Sequence, residues 1–312
     1  MVSVMGKRGL FLVWLCLVNI LPGMAQTEKL IDYVNPFVGT DGYGNVYPGA
    51  QIPFGGIQMS PDTDSKYYDA ASGYKYNHST LLGFSLTHLS GTGIPDLGDF
   101  LFISGTGEMK LDPGTREEPE KGYRSRYSHE KEWASPNYYA VELSDYGVKA
   151  EMTSGVRSGM FRFTYPQSDK AFIMIDMNHT LWQSCEWANL RMENDSTITG
   201  YKLVKGWGPE RHIYFTATFS KKLTGLRFMQ NKKPVIYNTS RFRSSYEAWG
   251  KNLMACISFD TKAGEEVIVK TAISSVSTNG AKNNMAELAG LAFDELKAKG
   301  EALWEKELGK YT

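Results

Sequence analysis

The chain has 312 residues, 42% of them hydrophobic and 22% charged, with 34 basic side chains set against 34 acidic ones. That balance argues against a nucleic-acid partner, because neutralising phosphates needs a concentrated basic face. No basic amphipathic stretch marks a membrane surface either.

Lys7 and Arg8, then the apolar run "GLFLVWLCLVNIL", then "PGMA" with small Gly23 and Ala25 have the form of a secretory signal peptide cleaved after Ala25. The run falls short of the ~20 apolar residues that span a bilayer, so no membrane attachment is expected after cleavage. A mature chain from Gln26 to Thr312, exported to the periplasm or beyond, is expected. It is long enough for one large domain or two small ones.

"GTDGYGNVYPGA" offers Asp41 and Asn45 as polar contributors to a site or as turn-formers that bond their own backbone. "PDTDSKYYD" spaces Asp62, Asp64 and Asp69 but lacks the glycine and final glutamate of a calcium hand, so no metal ligand is assigned. "KYYDAASGY" is aromatic, and Tyr67, Tyr68, Tyr74 and Tyr76 suit either a strand surface or a binding platform. "FSLTHLSGTGIPDLGDF", from Phe84 to Phe100, interrupts its apolar pattern with glycines and hydrogen-bonding side chains. Glycines let a backbone approach a ligand closely. Alternatively, His88, Asp96 and Asp99 cap turns and satisfy buried loop backbone.

From Asn137 the pattern becomes short runs with turns between them: "NYYAVEL", "VKAEMTS", "GMFRFTYP", "AFIMIDMNH", "ITGYKLV", "HIYFTATFS", "PVIYNT", "LMACISFD" and "EVIVKTAIS". Phe161, Phe163 and Tyr165 alternate with the period of two expected of a half-buried strand, with Met160 out of phase. Many strands without intervening helices predict a large antiparallel β-sandwich over residues 26–278. After it, Met285, Leu288, Ala292, Leu296, Leu303 and Leu308 recur at helical spacing and predict one long linker helix over residues 279–312, capped by Asn279 and weakened at Gly300. Its stripe along Met285, Leu288, Ala292 and Leu296 is expected to be an exposed interface. Cys185 and Cys256, the cysteines left after the leader, leave a disulfide open.

The runs "YVNPFVGTDGYGNVYPGAQIPFGGIQMSPDT", "SGYKYNHSTLLGFSLTHLSGTG" and "DLGDFLF", in this order, resemble glycoside hydrolase family 92, the calcium-dependent exo-acting α-mannosidases of bacteria. The resemblance returns weakly at "ALWEKEL". It implies an N-terminal β-sandwich, a linker helix and a larger C-terminal (α/α)6 barrel beyond Thr312. It also implies hydrolysis of terminal α-linked mannose with inversion, by two carboxyls roughly 6.5 to 9.5 Å apart. In the family the acid, the base and most calcium ligands stand on the barrel. No catalytic residue and no metal ligand is therefore expected in this chain, and alone it is expected to be catalytically incomplete. Glu117, Glu118 and Glu120, and likewise Glu265 and Glu266, sit in charged turns without a framework to hold two carboxyls apart.

Loops of the family's sandwich reach over the barrel's pocket, and the match at "THLSGTG" maps Thr87, His88 and Ser90 onto one of them, with Asp96 following. Tyr68 and Asp69 stand where the family carries a tryptophan and an aspartate beside the leaving-group sugar, and Asp41 and Asn45 lie in a loop near the pocket. Leu86 occupies a position expected to be histidine, and Ile94-Pro95 replaces smaller residues. The expected partners are mannose-containing glycans and the barrel domain. A stand-alone carbohydrate-binding or scaffold sandwich with no enzymatic role is the alternative.

Overall fold

The computed structural model describes residues 29–65, 68–236 and 247–311. The leader expected over residues 1–25 lies outside them. Two antiparallel sheets dominate. The first has seven strands in the spatial order Ser60–Asp62, Gly83–Ser85, Leu101–Thr106, Ser168–Asp176, Leu253–Thr261, Gly225–Gln230 and Lys233–Pro234. The second has nine: Glu247–Gly250, Ser184–Asn194, Thr197–Lys205, Arg211–Phe219, Glu265–Ser274, Ser158–Tyr165, Val148–Ser154, Tyr138–Leu143 and Glu132–Ser135. The expected β-sandwich is therefore the fold.

Alternation decides which side chains fill it. Phe161, Phe163 and Tyr165 point into the space between the sheets with Phe84, Phe102 and Phe215, and Phe102 lies 4.9 Å from Phe161 between ring centroids. Met160 falls on the opposite face and is fully buried there as well, beneath Leu288, Phe293 and Leu296. Its departure from phase reflects a second, smaller core on the outside of the sheet.

That outer core corrects the expected single helix and exposed stripe. Two α-helices form, α1 (Thr278–Met285) and α2 (Phe293–Leu308), joined by a 3-10 turn at Ala286–Leu288 and by Gly290 at φ 72°. In one unbroken helix, positions 288 and 293 would point about 140° apart. The break lets Leu288 and Phe293 both reach Met160. Leu288 and Leu296 are buried, so the sandwich itself covers the central part of the stripe. The cap of α1 is Ser277, whose Oγ accepts from Gly280 N at 3.0 Å, not Asn279. α2 then reaches the start of the described chain, where Leu30 N and Ile31 N donate to the Glu305 carboxylate at 3.2 and 2.7 Å.

Gly300 is a contact point and not a weakness. A Cβ there would stand 1.6 Å from Asn137 Nδ2, and Asn137 is fully buried, bonding Thr153 Oγ1 at 3.1 Å and Ser154 Oγ at 2.8 Å. Gly300→Ala gains roughly 1 kcal/mol of helix propensity but must displace this amide. A net loss of about 1–3 kcal/mol in urea unfolding is expected; a stabilised variant would show that α2 can lift off the sheet at no cost.

Ser184–Asn194 escaped the periodicity because its register slips twice against Thr197–Lys205, between Cys185 and Trp187 and between Met192 and Asn194. The run "PVIYNT" pairs at its start, through Pro234 and through Val235 N to Phe228 O at 2.9 Å, and continues into residues that lie outside the described ones. Cys185 and Cys256 are both buried free thiols.

Candidate functional site

Loops of one end of the sandwich converge around the glycine-rich segment. It is closed at its base by Leu86 N to Asp99 O at 2.9 Å and Gly98 N to Thr87 O at 2.8 Å, and tied near its tip by Gly91 N to Asn45 O at 2.7 Å. Leu97, Gly98 and Phe100 adopt φ values of 71°, 73° and 58°. At Gly98 a side chain has no room, because its Cβ would fall 2.6 Å from Leu181. The glycine there serves close approach of the 176–183 loop.

Two buried aspartates hold this loop cluster from beneath. Asp62 Oδ1 accepts from His88 Nε2 and Asp62 Oδ2 from His179 Nε2, both at 2.7 Å. The other ring nitrogen of His88 faces Gln58 O at 2.8 Å. Asp99 accepts from Thr87 Oγ1 at 2.7 Å and from Arg211 at 2.5 and 3.1 Å. Lys202 Nζ, wholly buried, lies 3.0 Å from Asp99 Oδ1 and donates to His179 O at 2.6 Å. Burial by itself raises both carboxyls, but His88 and His179 around Asp62, and Lys202 and Arg211 around Asp99, outweigh it and hold both well below the usual carboxylate range. The backbone of His179, accepting from Lys202, joins the two networks into one.

The sequence-proposed residues divide accordingly. Thr87 and His88 are buried and spend their polar atoms inside these networks. Asp96 is buried too, accepting from Leu97 N at 2.6 Å and Trp207 N at 3.1 Å. Asp41 and Asn45 bond their own loop, Asp41 Oδ1 from Gly42 N at 2.8 Å and Asn45 Nδ2 to Tyr43 O at 3.2 Å. Ser90 is exposed at the tip. Tyr68 is 57% exposed and stands edge-on to Trp182, itself 61% exposed, with centroids 6.4 Å apart. A Cβ on Gly93 would lie 3.5 Å from the Tyr68 hydroxyl, so the ring reaches the glycine-rich tip. Tyr67 and the side chain of Asp69 lie outside what the structure describes. Tyr74 is buried on Glu132 at 3.0 Å, and Tyr76 stacks on His129 at 4.0 Å.

Trp182, Trp207, His179, Lys202 and Arg211 were not singled out in the sequence. The tryptophans carried a signal, each an isolated large aromatic in a run of turn residues, "NHTLWQS" and "KGWGPE". Lys202 carried none, since it sits in a strand where an outward lysine is ordinary. Glu117, Glu118 and Glu120 are exposed. Among the described residues no group of three or more His, Cys, Asp or Glu is placed to hold a metal ion.

The fold is thus a β-sandwich with an aromatic-edged loop cluster and with helices packed on the outer face of the nine-stranded sheet. The sequence model of the glycosyl hydrolase family 92 N-terminal domain matches residues 33–274, and the chain belongs to that family. The family GH92 α-mannosidase BT3965 from Bacteroides thetaiotaomicron is 89% identical over 91% of this chain, with a TM-score of 0.89, and the chain spans 38% of that protein. The inverting GH92 mannosidase BT2199 from Bacteroides thetaiotaomicron VPI-5482 shares the fold at 24% identity and a TM-score of 0.76, over 91% of this chain and 37% of its own. A protein of Arthroderma benhamiae described as an uncharacterized secreted glycosidase is 30% identical over 46% of this chain and 19% of its own length. No helix among the described residues is long and apolar enough to cross a membrane.

Proposed function

We propose that the chain is the sugar-facing N-terminal part of an exported α-mannosidase that removes terminal α-linked mannose from glycans with inversion. Its partner is an (α/α)6 barrel carrying the acid, the base and the calcium ligands. The observation that carries this reading is the rim of Tyr68, Trp182 and Trp207, exposed rings on loops that are bonded to one another and fixed from below by Asp62 and Asp99. An exposed ring offers a sugar its apolar face, while neighbouring loop groups meet the hydroxyls. Such a rim is open on the side away from the sandwich, and a small polar ligand needs most of its surface covered. Tyr33, Val38, Tyr43 and Phe54 are also exposed, Tyr43 at 96%. Such apolar exposure suits docking of a further domain.

Within this reading the chain's residues bind and orient. Tyr68 faces the sugar beyond the cleaved bond, and the glycine-rich tip shapes the opening. Thr87, His88 and Asp96 keep that tip in place. The test is complementation: the full chain, mixed with a separately produced C-terminal portion of the Bacteroides thetaiotaomicron mannosidase, is expected to release mannose from an α-linked mannobiose, and neither part to do so alone. Turnover by this chain unaided, or an inert mixture whose two parts have associated, overturns the proposal.

A further inference from the structure

Beside the rim, on the outer face of the seven-stranded sheet, lies a cleft of about 860 Å³, within the ~300–1,000 Å³ range of small-molecule sites. Its floor is apolar, with Leu82, Leu111 and Met254, and amide and carboxylate groups of Asn178, Gln183 and Asp176 stand around it. Asp112 and Lys232 at its edge pair with each other and His179 is held by Asp62, so among the described residues that line the cleft each basic side chain has a carboxylate partner. An apolar floor with a wall of amides and one carboxylate, groups that donate to and accept from hydroxyls, describes a site for a polyhydroxylated ligand without negative charge.

Trp182 joins the cleft to the rim. It lines the cleft on one side and stands edge-on to Tyr68 on the other. Its backbone is left-handed, with φ 66°, a strained conformation for a bulky residue. Trp182 N to Ser65 O at 3.1 Å and Leu181 N to Leu97 O at 3.0 Å maintain it. Packing does not explain the strain, because the ring it positions is 61% exposed.

We infer that the cleft is a subsite for the inner sugars of an oligosaccharide whose terminal residue lies at the rim, with Trp182 as the wall over which the glycan passes. The inference rests on the function proposed above and narrows its substrates to glycans of several residues. The test is calorimetric titration of the full chain with an α-linked mannotetraose, methyl α-mannoside and a β-linked glucan tetraose. The mannotetraose is expected to bind at least about tenfold more tightly than the methyl glycoside. Asn178→Trp, which fills the cleft from an exposed position, and Trp182→Ala are each expected to abolish that advantage without lowering the thermal midpoint. Equal affinity for the two mannosides, no binding of either tetraose, or an advantage that survives both variants overturns the inference. If the glucan binds with the same dependence on Asn178 and Trp182 and the mannotetraose does not bind, the cleft stands and the mannoside reading falls.

Discussion

Asp99→Ala is expected to cost about 3–5 kcal/mol in urea unfolding, the range for removing one member of a buried charged group. Lys202 has no exposed surface and lies 3.0 Å from the carboxylate it would lose, and Arg211 makes two of its bonds there. Without Asp99 the ammonium stays buried against the His179 carbonyl and the Phe100 ring, 5.3 Å from its centroid, with no carboxylate to balance it. Thr87 loses its acceptor at the same time. Hydrogen exchange should therefore accelerate at Leu86 and Gly98, whose amides close the base of the loop. Pairing the change with Lys202→Met should recover part of the loss, since no unmatched charge then remains on the strand. A loss below about 1 kcal/mol for Asp99→Ala would mean that water reaches Lys202 and that the loop is held by its backbone alone.

Acid is expected to unfold the protein through the same carboxylates. Asp62 and Asp99 both have folded-state values well below those of an unfolded chain. A group depressed in this way stabilises the fold at any pH above its unfolded value, about 3.9 for aspartate. That contribution is lost as the pH falls towards the folded value. Stability to urea should therefore be level, as far as these groups decide it, above about pH 5 and fall progressively below about pH 4. Asp62→Asn tests the assignment. The variant should be less stable at neutral pH, because an amide cannot accept from both His88 and His179, and its acid limb should be shallower than that of the parent. An acid limb unchanged by this substitution would place the sensitivity elsewhere.

The fold was largely legible in the residues, and the reasons are local. Eight strands from Tyr138–Leu143 to Glu265–Ser274 coincide with the short apolar runs, because turn residues bound each run and a strand buried on one face repeats every second residue, while one buried on both, as Ser168–Asp176 is from Ala171 to Ile175, is apolar throughout that stretch. Ser184–Asn194 was hidden by its bulges, and the break between α1 and α2 by a helical period that continues on either side of Gly290. At the site, the glycine-rich segment and Tyr68 could be recognised from their residue types. Nothing in the chain's order foretold that Thr87 and His88 would point down into charge networks, since their partners Asp62, Lys202 and Arg211 are distant in sequence.

Composition, alternation and the "THLSGTG" and "DLGDFLF" runs determined an antiparallel sandwich, its family and the loop that edges its site. Tertiary structure alone decided which polar residues are buried, where the helix breaks and that Trp182 stands between rim and cleft. The reason is range: periodicity and turn chemistry act over a few residues, whereas burial of an aspartate, a lysine or a strained tryptophan is settled by groups that meet only when the sheets close.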